Sequence, residues 1–89
     1  MLFVAMGKVR AGTTRERVGR RTQWDYPPGL KVIGEYWVQS PDPNVITICE
    51  ADSVAPIIAA TSDWDDVMSW TVLPAISAQE GLEMAKQMA

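Results

Sequence analysis

Two glutamates and a tryptophan are the residues best suited to chemistry in this chain of 89 residues. Glu35 and Trp37 lie in one alternating segment, and Glu50 lies in the next. In a register that pairs Trp37 with Ile46, Glu35 and Glu50 are diagonal neighbours on one sheet face, with Cβ atoms about 7–8 Å apart. Two carboxylates beside an aromatic ring can act as acid and base or bind a cation. Glu35 and Glu50 are therefore the catalytic candidates, although the sequence assigns no reaction to them.

The residue types that are missing exclude several classes of enzyme. The chain has no His, which excludes a Ser-His-Asp or Cys-His triad, a His-ligated haem and a standard mononuclear zinc enzyme. Its single cysteine, Cys49, cannot form an internal disulfide, suits a reducing cytoplasm and is expected to be inert packing. Asp63, Asp65 and Asp66 lack the glycine and the bidentate glutamate of a calcium loop. We expect neither a metal nor a cofactor.

Charge is spread unevenly along the chain. Residues 1–31 carry seven of the eight Lys and Arg residues, whereas residues 32–89 carry nine of the eleven carboxylates. The overall balance is acidic, so we expect no nucleic-acid partner and place the basic segment against acidic parts of its own fold or of a second copy. The arginines of this segment can alternatively hold an anionic ligand, although salt bridges or a solvated face are the commoner roles. The four candidates among the five arginines of this segment are Arg10, Arg17, Arg20 and Arg21.

Hydropathy along the chain bears on localisation. No apolar run approaches the roughly 18 residues of a membrane-spanning helix. The first residues lack the basic region of a signal peptide. The sequence therefore predicts a cytoplasmic protein with no membrane partner.

The elements that must position these residues follow the order β-α-β-β-α-β, with one further helix. Thr13–Glu16 and Ser77–Glu80 have the spacing of capping boxes and open the first and last helices. The order predicts one α+β domain over residues 1–89, with a ferredoxin-like core in 1–76 and a C-terminal helix in 77–89. The predicted strands cover 2–8, 30–39, 44–51 and 67–76, and a four-residue turn joins the middle two.

One face of the predicted sheet has no helix to cover it. In the chosen register that face carries Trp37 with apolar neighbours, which is unlike the polar side of a solvated antiparallel sheet. Exposed apolar patches of this kind usually mark an interface. Two such faces packed together give a closed symmetric dimer, so the sequence predicts a homodimer.

Three segments resemble a family of uncharacterised small proteins, a domain of unknown function within the dimeric α/β-barrel superfamily of ferredoxin-like folds. The segments are GLKVIGEYW (29–37), ICEAD (48–52) and TVLPAI (71–76). The resemblance covers roughly residues 1–76 and implies a dimer whose two sheets form a barrel. Relatives in that superfamily include cofactor-free monooxygenases, lactone isomerases, haem-degrading enzymes that typically rely on an axial His, and stress-responsive proteins. It carries over no catalytic residues.

The function predicted on this basis is binding of a small organic ligand in the barrel cavity, without established catalysis. The ligand would be bound by Glu35, Trp37, Ile46, Ile48 and Glu50. One alternative is a cofactor-independent oxygenase or isomerase that uses Glu35 or Glu50, with Trp37 as a wall. Another is a structural or protein-interaction module whose barrel is filled by side chains. A further alternative is that Glu35 and Glu50 have no role in binding or catalysis. They would then point to solvent at the barrel rim or pair with arginines across the dimer.

Overall fold

Four strands and three helices make up the computed structural model, which describes residues 1–88. In chain order they are β1 (Leu2–Val9), α1 (Thr14–Arg21), β2 (Lys31–Trp37), β3 (Val45–Glu50), α2 (Ala55–Ser62), β4 (Met68–Ala75) and α3 (Ala78–Met88). The strands form one antiparallel sheet in the order β2-β3-β1-β4. This arrangement is an α+β ferredoxin-like fold with a final helix, and it confirms the predicted fold class.

Alternation along the strands gives the sheet two different faces. On the covered face, Phe3 of β1 and Cys49 of β3 are buried and pack with Ile57 of α2. Since successive side chains of a strand point to opposite sides, the intervening residues lie on the other side, which we call the open face. Its apolar members, all partly or largely exposed, are Leu2, Val4, Met6, Tyr36, Ile46, Ile48, Leu73 and Ala75.

The register of the β2–β3 hairpin differs from the predicted one by one residue. Trp37 pairs with Val45 rather than with Ile46. Because side chains alternate with a period of two, a slip of one residue moves the side chains of residues 34–37 to the other face relative to β3. A bulge between Val32 and Gly34 absorbs the slip, so Val32 still pairs with Cys49. Trp37 therefore lies on the covered face with Val45, whereas Ile46 lies on the open face.

The hairpin turn accounts for this register. The N–H of Val38 donates to the carbonyl of Asn44 at 2.8 Å, so the turn spans five residues, 39–43, instead of the predicted four. Asn44 is in turn fixed to β1. Its N–H donates to the carbonyl of Gly7 at 2.8 Å, and its Oδ1 accepts from the N–H of Val9 at 2.7 Å. These contacts between distant parts of the chain select the longer turn.

One of the two predicted capping boxes forms in part. The Oγ of Ser77 accepts a hydrogen bond from the N–H of Glu80 at 3.1 Å, as a helix N-cap does. At α1 the prediction is wrong, because Thr13 makes no side-chain cap. Its hydroxyl donates to an earlier carbonyl of the loop at 2.7 Å, and Glu16 pairs with Arg20 one turn later at 2.7 Å. Because Glu16 is paired with Arg20, its carboxylate is not available for the capping box.

The basic helix α1 lies against the acidic turn that follows α2. Arg20 donates to both carboxylate oxygens of Asp66 at 2.8 Å. Arg10, in the loop before α1, donates to the carbonyl of Asp65 at 3.1 and 3.2 Å. The prediction that the basic segment packs against an acidic part of its own fold is confirmed.

Helix α3 extends away from the rest of the chain. Its apolar residues Leu82, Met84 and Met88 are all more than half exposed. The described chain is elongated, with a longest dimension of 50 Å. Its radius of gyration is 14.8 Å, whereas a compact chain of this length has about 12 Å. In residues 1–88 no helix has the length and apolar character needed to cross a membrane.

Alanine substitution of Gly29 tests the conformation of the loop before β2, and the same substitution of Gly19 in α1 is its control. Gly29 has a φ of +93°, and an added Cβ would lie 3.2 Å from Cγ of Pro56. Gly29→Ala is expected to lower the free energy of unfolding by about 1 kcal/mol, because an L-residue is strained at that φ. Gly19→Ala, inside α1 and with no atom within 4 Å of the added Cβ, should raise the free energy of unfolding by about 0.5–1 kcal/mol. Urea unfolding measures both, and a stabilising Gly29→Ala would contradict this loop conformation.

Candidate functional site

A cavity of about 60 Å³ lies between the covered face of the sheet and the two helices that pack on it. All four tryptophans of the chain contribute to its wall, together with Tyr26. Trp24 contacts both Tyr26 and Trp64 edge to face, with ring centroids 4.8 and 5.4 Å apart. These edge-to-face contacts are favourable aromatic geometry, so the rings form a connected wall.

Three charged side chains reach the cavity wall. Arg17 and Arg21 come from α1, and Glu35 comes from β2. The two arginines are four residues apart, which places them on one side of the helix. Glu35 lies beneath them, because the observed register turns it towards the helices.

Glu35 is held by three donors from three parts of the chain. Arg21 donates Nε at 3.1 Å to both carboxylate oxygens and its Nη2 at 2.9 Å to Oε1. The indole N–H of Trp37 donates to Oε2 at 2.8 Å, and the hydroxyl of Tyr26 donates to Oε1. Only 17% of the Glu35 side chain is exposed. Burial opposes its ionisation, yet the donors outweigh that effect and hold the pKa of Glu35 below its usual value.

Tyr26 serves this network as a hydrogen-bond donor. Burial and the neighbouring Glu35 carboxylate raise the pKa of Tyr26 to about 12. The phenol therefore keeps its proton at physiological pH and donates it to Glu35. Glu35 and Arg21 neutralise each other and are both occupied by neighbours.

The predicted ligand-binding residues are divided between the two faces of the sheet. Glu35 and Trp37 line the cavity beneath the helices. Ile46, Ile48 and Glu50 lie on the open face, because they alternate with buried residues of β3. The structure thus does not bring the five together, and the predicted pairing of Glu35 with Glu50 as diagonal neighbours is wrong. The one-residue register shift causes the separation.

Sequence reasoning missed two of the residues that define this cavity. They are Tyr26 and Trp70, neither of which is among the predicted ligand-binding residues. Their contributions depend on contacts between distant segments, for which no local pattern gives a signal. Cys49 also reaches the wall, and burial raises the pKa of its thiol.

The acidic residues after α2 are engaged with their own fold. Asp63 accepts from the indole N–H of Trp24 at 2.9 Å, and its carbonyl accepts from Arg20 at 3.1 Å. Asp66 is paired with Arg20, as described above. This turn therefore supports the loop of Trp24 at the edge of the cavity.

Comparison with known proteins identifies the family of the chain. No curated protein and no solved structure matches it significantly. One family model, described as a domain of unknown function (DUF3303), matches residues 1–89. This agrees with the predicted uncharacterised family, while the assignment to the dimeric α/β-barrel superfamily stays a prediction. Because the match spans the whole sequence, the chain belongs to the DUF3303 family.

Proposed function

We propose that this DUF3303 protein binds a small organic molecule in the cavity between its sheet and its helices. The observation that carries the proposal is the convergence of four tryptophans and Tyr26 on one opening. Small-molecule sites are typically concave and aromatic, with a few placed polar groups. Protein interiors otherwise fill such space with side chains, because voids destabilise the fold.

Binding is better supported than catalysis by the glutamates. A general base needs a pKa near the working pH and an available lone pair. Glu35 has a lowered pKa and accepts from Arg21, Tyr26 and Trp37. Glu50 is exposed on the other side of the sheet. Neither glutamate is placed to serve an oxygenase or isomerase reaction in this cavity.

The proposed working unit is a homodimer that covers the open face. The described chain exposes 6109 Å², about 900 Å² more than a compact monomer of this mass. That excess is close to the roughly 800 Å² that each partner buries in a standard interface. The apolar rows of the open face and the exposed helix α3 supply the surface, and a second copy offers the same apolar rows in return.

Native mass spectrometry of freshly purified, untagged protein tests both parts of the proposal. A dimer that carries a small mass, released on denaturation, would support both. A dimer without an additional mass would support the interface. Ligand binding would then be tested with added probes and the cavity-filling variant described next. A monomer at micromolar concentration would overturn the dimer.

A cavity-filling substitution checks where the ligand binds. Ala60 is buried at the cavity wall, whereas its neighbour Ala59 is exposed on the same helix. We expect Ala60→Leu to abolish retention of the small mass and of added small organic probes, because its extra carbons occupy about the volume of the opening. Ala59→Leu should retain both. If Ala60→Leu binds as the wild type does, the site lies elsewhere, and if no probe binds the wild type, the proposed binding function fails.

A further inference from the structure

Arg17 is a buried cation at the wall of the cavity. Only 8% of the residue is exposed, and its guanidinium carbon lies 5.3 Å from the centre of the Trp37 ring. Within residues 1–88 its Nε has no hydrogen-bond partner, and none of the salt bridges includes it. Removing a charge from water without an opposite charge is costly, and a cation–π contact offsets only part of that cost. Nε of Arg17 is therefore a buried donor without a partner in the described part of the chain.

The other charges at the wall do not balance Arg17. Arg21 and Glu35 form a salt bridge at 2.9 Å, so their charges cancel. Arginine remains protonated in proteins, so the wall keeps one positive charge. A second donor also lacks a partner in the described part of the chain, namely the buried indole N–H of Trp70. Trp70 lines the same cavity as Arg17.

From these two unpaired donors we propose that the cavity selects a small monocarboxylate, bound by Arg17 and by the indole N–H of Trp70. The inference rests on the proposed binding function and adds the charge and chemical class of the ligand. A carboxylate brings one negative charge and accepts several hydrogen bonds, which matches one guanidinium and one N–H donor. A phosphate carries up to two charges and three strong acceptor oxygens, for which the wall has too few free donors.

The remainder of the ligand is expected to be short and apolar. The cavity volume of about 60 Å³ corresponds to about four to six water-sized positions. The rest of the wall is largely aromatic and aliphatic, including Trp64, Ile57 and Met68. Acids of about three to five carbons fit these two properties.

Matched acids and amides separate charge recognition from simple burial. Propionate and butyrate are titrated beside propionamide and butyramide at constant ionic strength, with inorganic phosphate as a further probe. Tryptophan fluorescence reports occupancy, because all four tryptophans line the cavity. We expect each acid to bind the wild-type protein at least tenfold more tightly than its amide, and phosphate to bind more weakly than butyrate.

Variants of α1 assign the recognition to one residue. Arg17→Met keeps a long side chain against Trp37 but removes the charge, and we expect the acid-to-amide ratio to fall close to one. Arg15→Met is the control, since Arg15 is exposed on the same helix. Trp70→Phe should weaken acid binding severalfold while sparing amide binding. Because Arg17→Met removes a buried donor without a partner and keeps an apolar side chain against Trp37, the Tm of the variant without added ligand should be no lower than that of the wild type.

Each failure has a distinct meaning. Amides that bind as tightly as acids would overturn the carboxylate assignment and leave the binding function standing. Equal loss of acid and amide binding in Arg17→Met would make Arg17 a packing residue and overturn the assignment too. If neither acids nor amides bind, both the assignment and binding of such ligands fail. The wild-type acid-to-amide ratio decides the matter even if a variant does not fold.

Discussion

At pH 7, Glu35→Gln is expected to have a free energy of unfolding about 2–3 kcal/mol lower than the wild type. The substitution removes the charge that accepts from Arg21, Tyr26 and Trp37. It also leaves Arg21, which is partly buried, without its salt-bridge partner. Chemical denaturation followed by fluorescence and circular dichroism measures the difference.

The effect of Glu35→Gln should shrink as the solution becomes acidic. The pKa of Glu35 is lowered in the folded protein, so its contribution is fully present above the unfolded pKa of about 4.3 and is lost as pH falls through the folded value. We therefore expect the two stability curves to converge below about pH 4. Hydrogen bonding from Arg20 also lowers the pKa of Asp66, but that contribution is common to both proteins and cancels in the comparison.

Glu50→Gln is the matched control for this prediction. Glu50, the last residue of β3, is exposed in the single chain, so its removal should change the free energy of unfolding of the single chain by no more than about 0.5 kcal/mol. The register proposed from sequence placed the two glutamates on one face, which predicts similar effects. A larger loss for Glu50→Gln than for Glu35→Gln would contradict the observed pairing of Glu35 with Thr47.

The architecture of this chain could be predicted from local signals. Alternating and helical patterns predicted the order of the six core elements, and the predicted strand boundaries lie within a few residues of the observed ones. The contact between basic α1 and the acidic turn also followed, because opposite charges were separated along the sequence and brought together by the fold. The order of the elements depends on residues that are close in sequence, and the contact of α1 with the acidic turn depends on the charges of the two segments. Both can therefore be predicted from the sequence.

The candidate site could not be predicted in the same way. Which residues of β2 line the site depends on whether the hairpin turn has four or five residues. The five-residue turn is stabilised by hydrogen bonds of Asn44 with Gly7 and Val9 of β1. Because the turn has one residue more than predicted, Glu35 lies at the cavity and not on the open face. Arg17 posed a similar problem, since five arginines share one basic segment and only the packing of α1 distinguishes Arg17 as the buried one.

The open face leads to the other large expected effect. Leu73 lies in a row of apolar neighbours, because β4 pairs it with Val4, which β3 pairs with Ile48. Leu73→Asp is expected to convert the proposed dimer into a monomer at micromolar concentration. Twofold symmetry places the substitution on both partners, so two carboxylates would lose water at one interface. Light scattering after size exclusion measures the mass, and circular dichroism should stay unchanged because 46% of Leu73 is exposed in the single chain.

Ile58→Asp tests whether any added charge on the surface has this effect. Ile58 is a similar aliphatic residue, 56% exposed, but it lies on α2 and so outside the open face. We expect this variant to remain a dimer. Dissociation by Ile58→Asp alone would move the interface to the helical side, and a wild-type monomer would leave the open face without the partner proposed for it. If Leu73→Asp dissociates the dimer and Ile58→Asp does not, the second copy lies on the open face of the sheet. That face is away from the cavity, so the cavities of both protomers stay accessible.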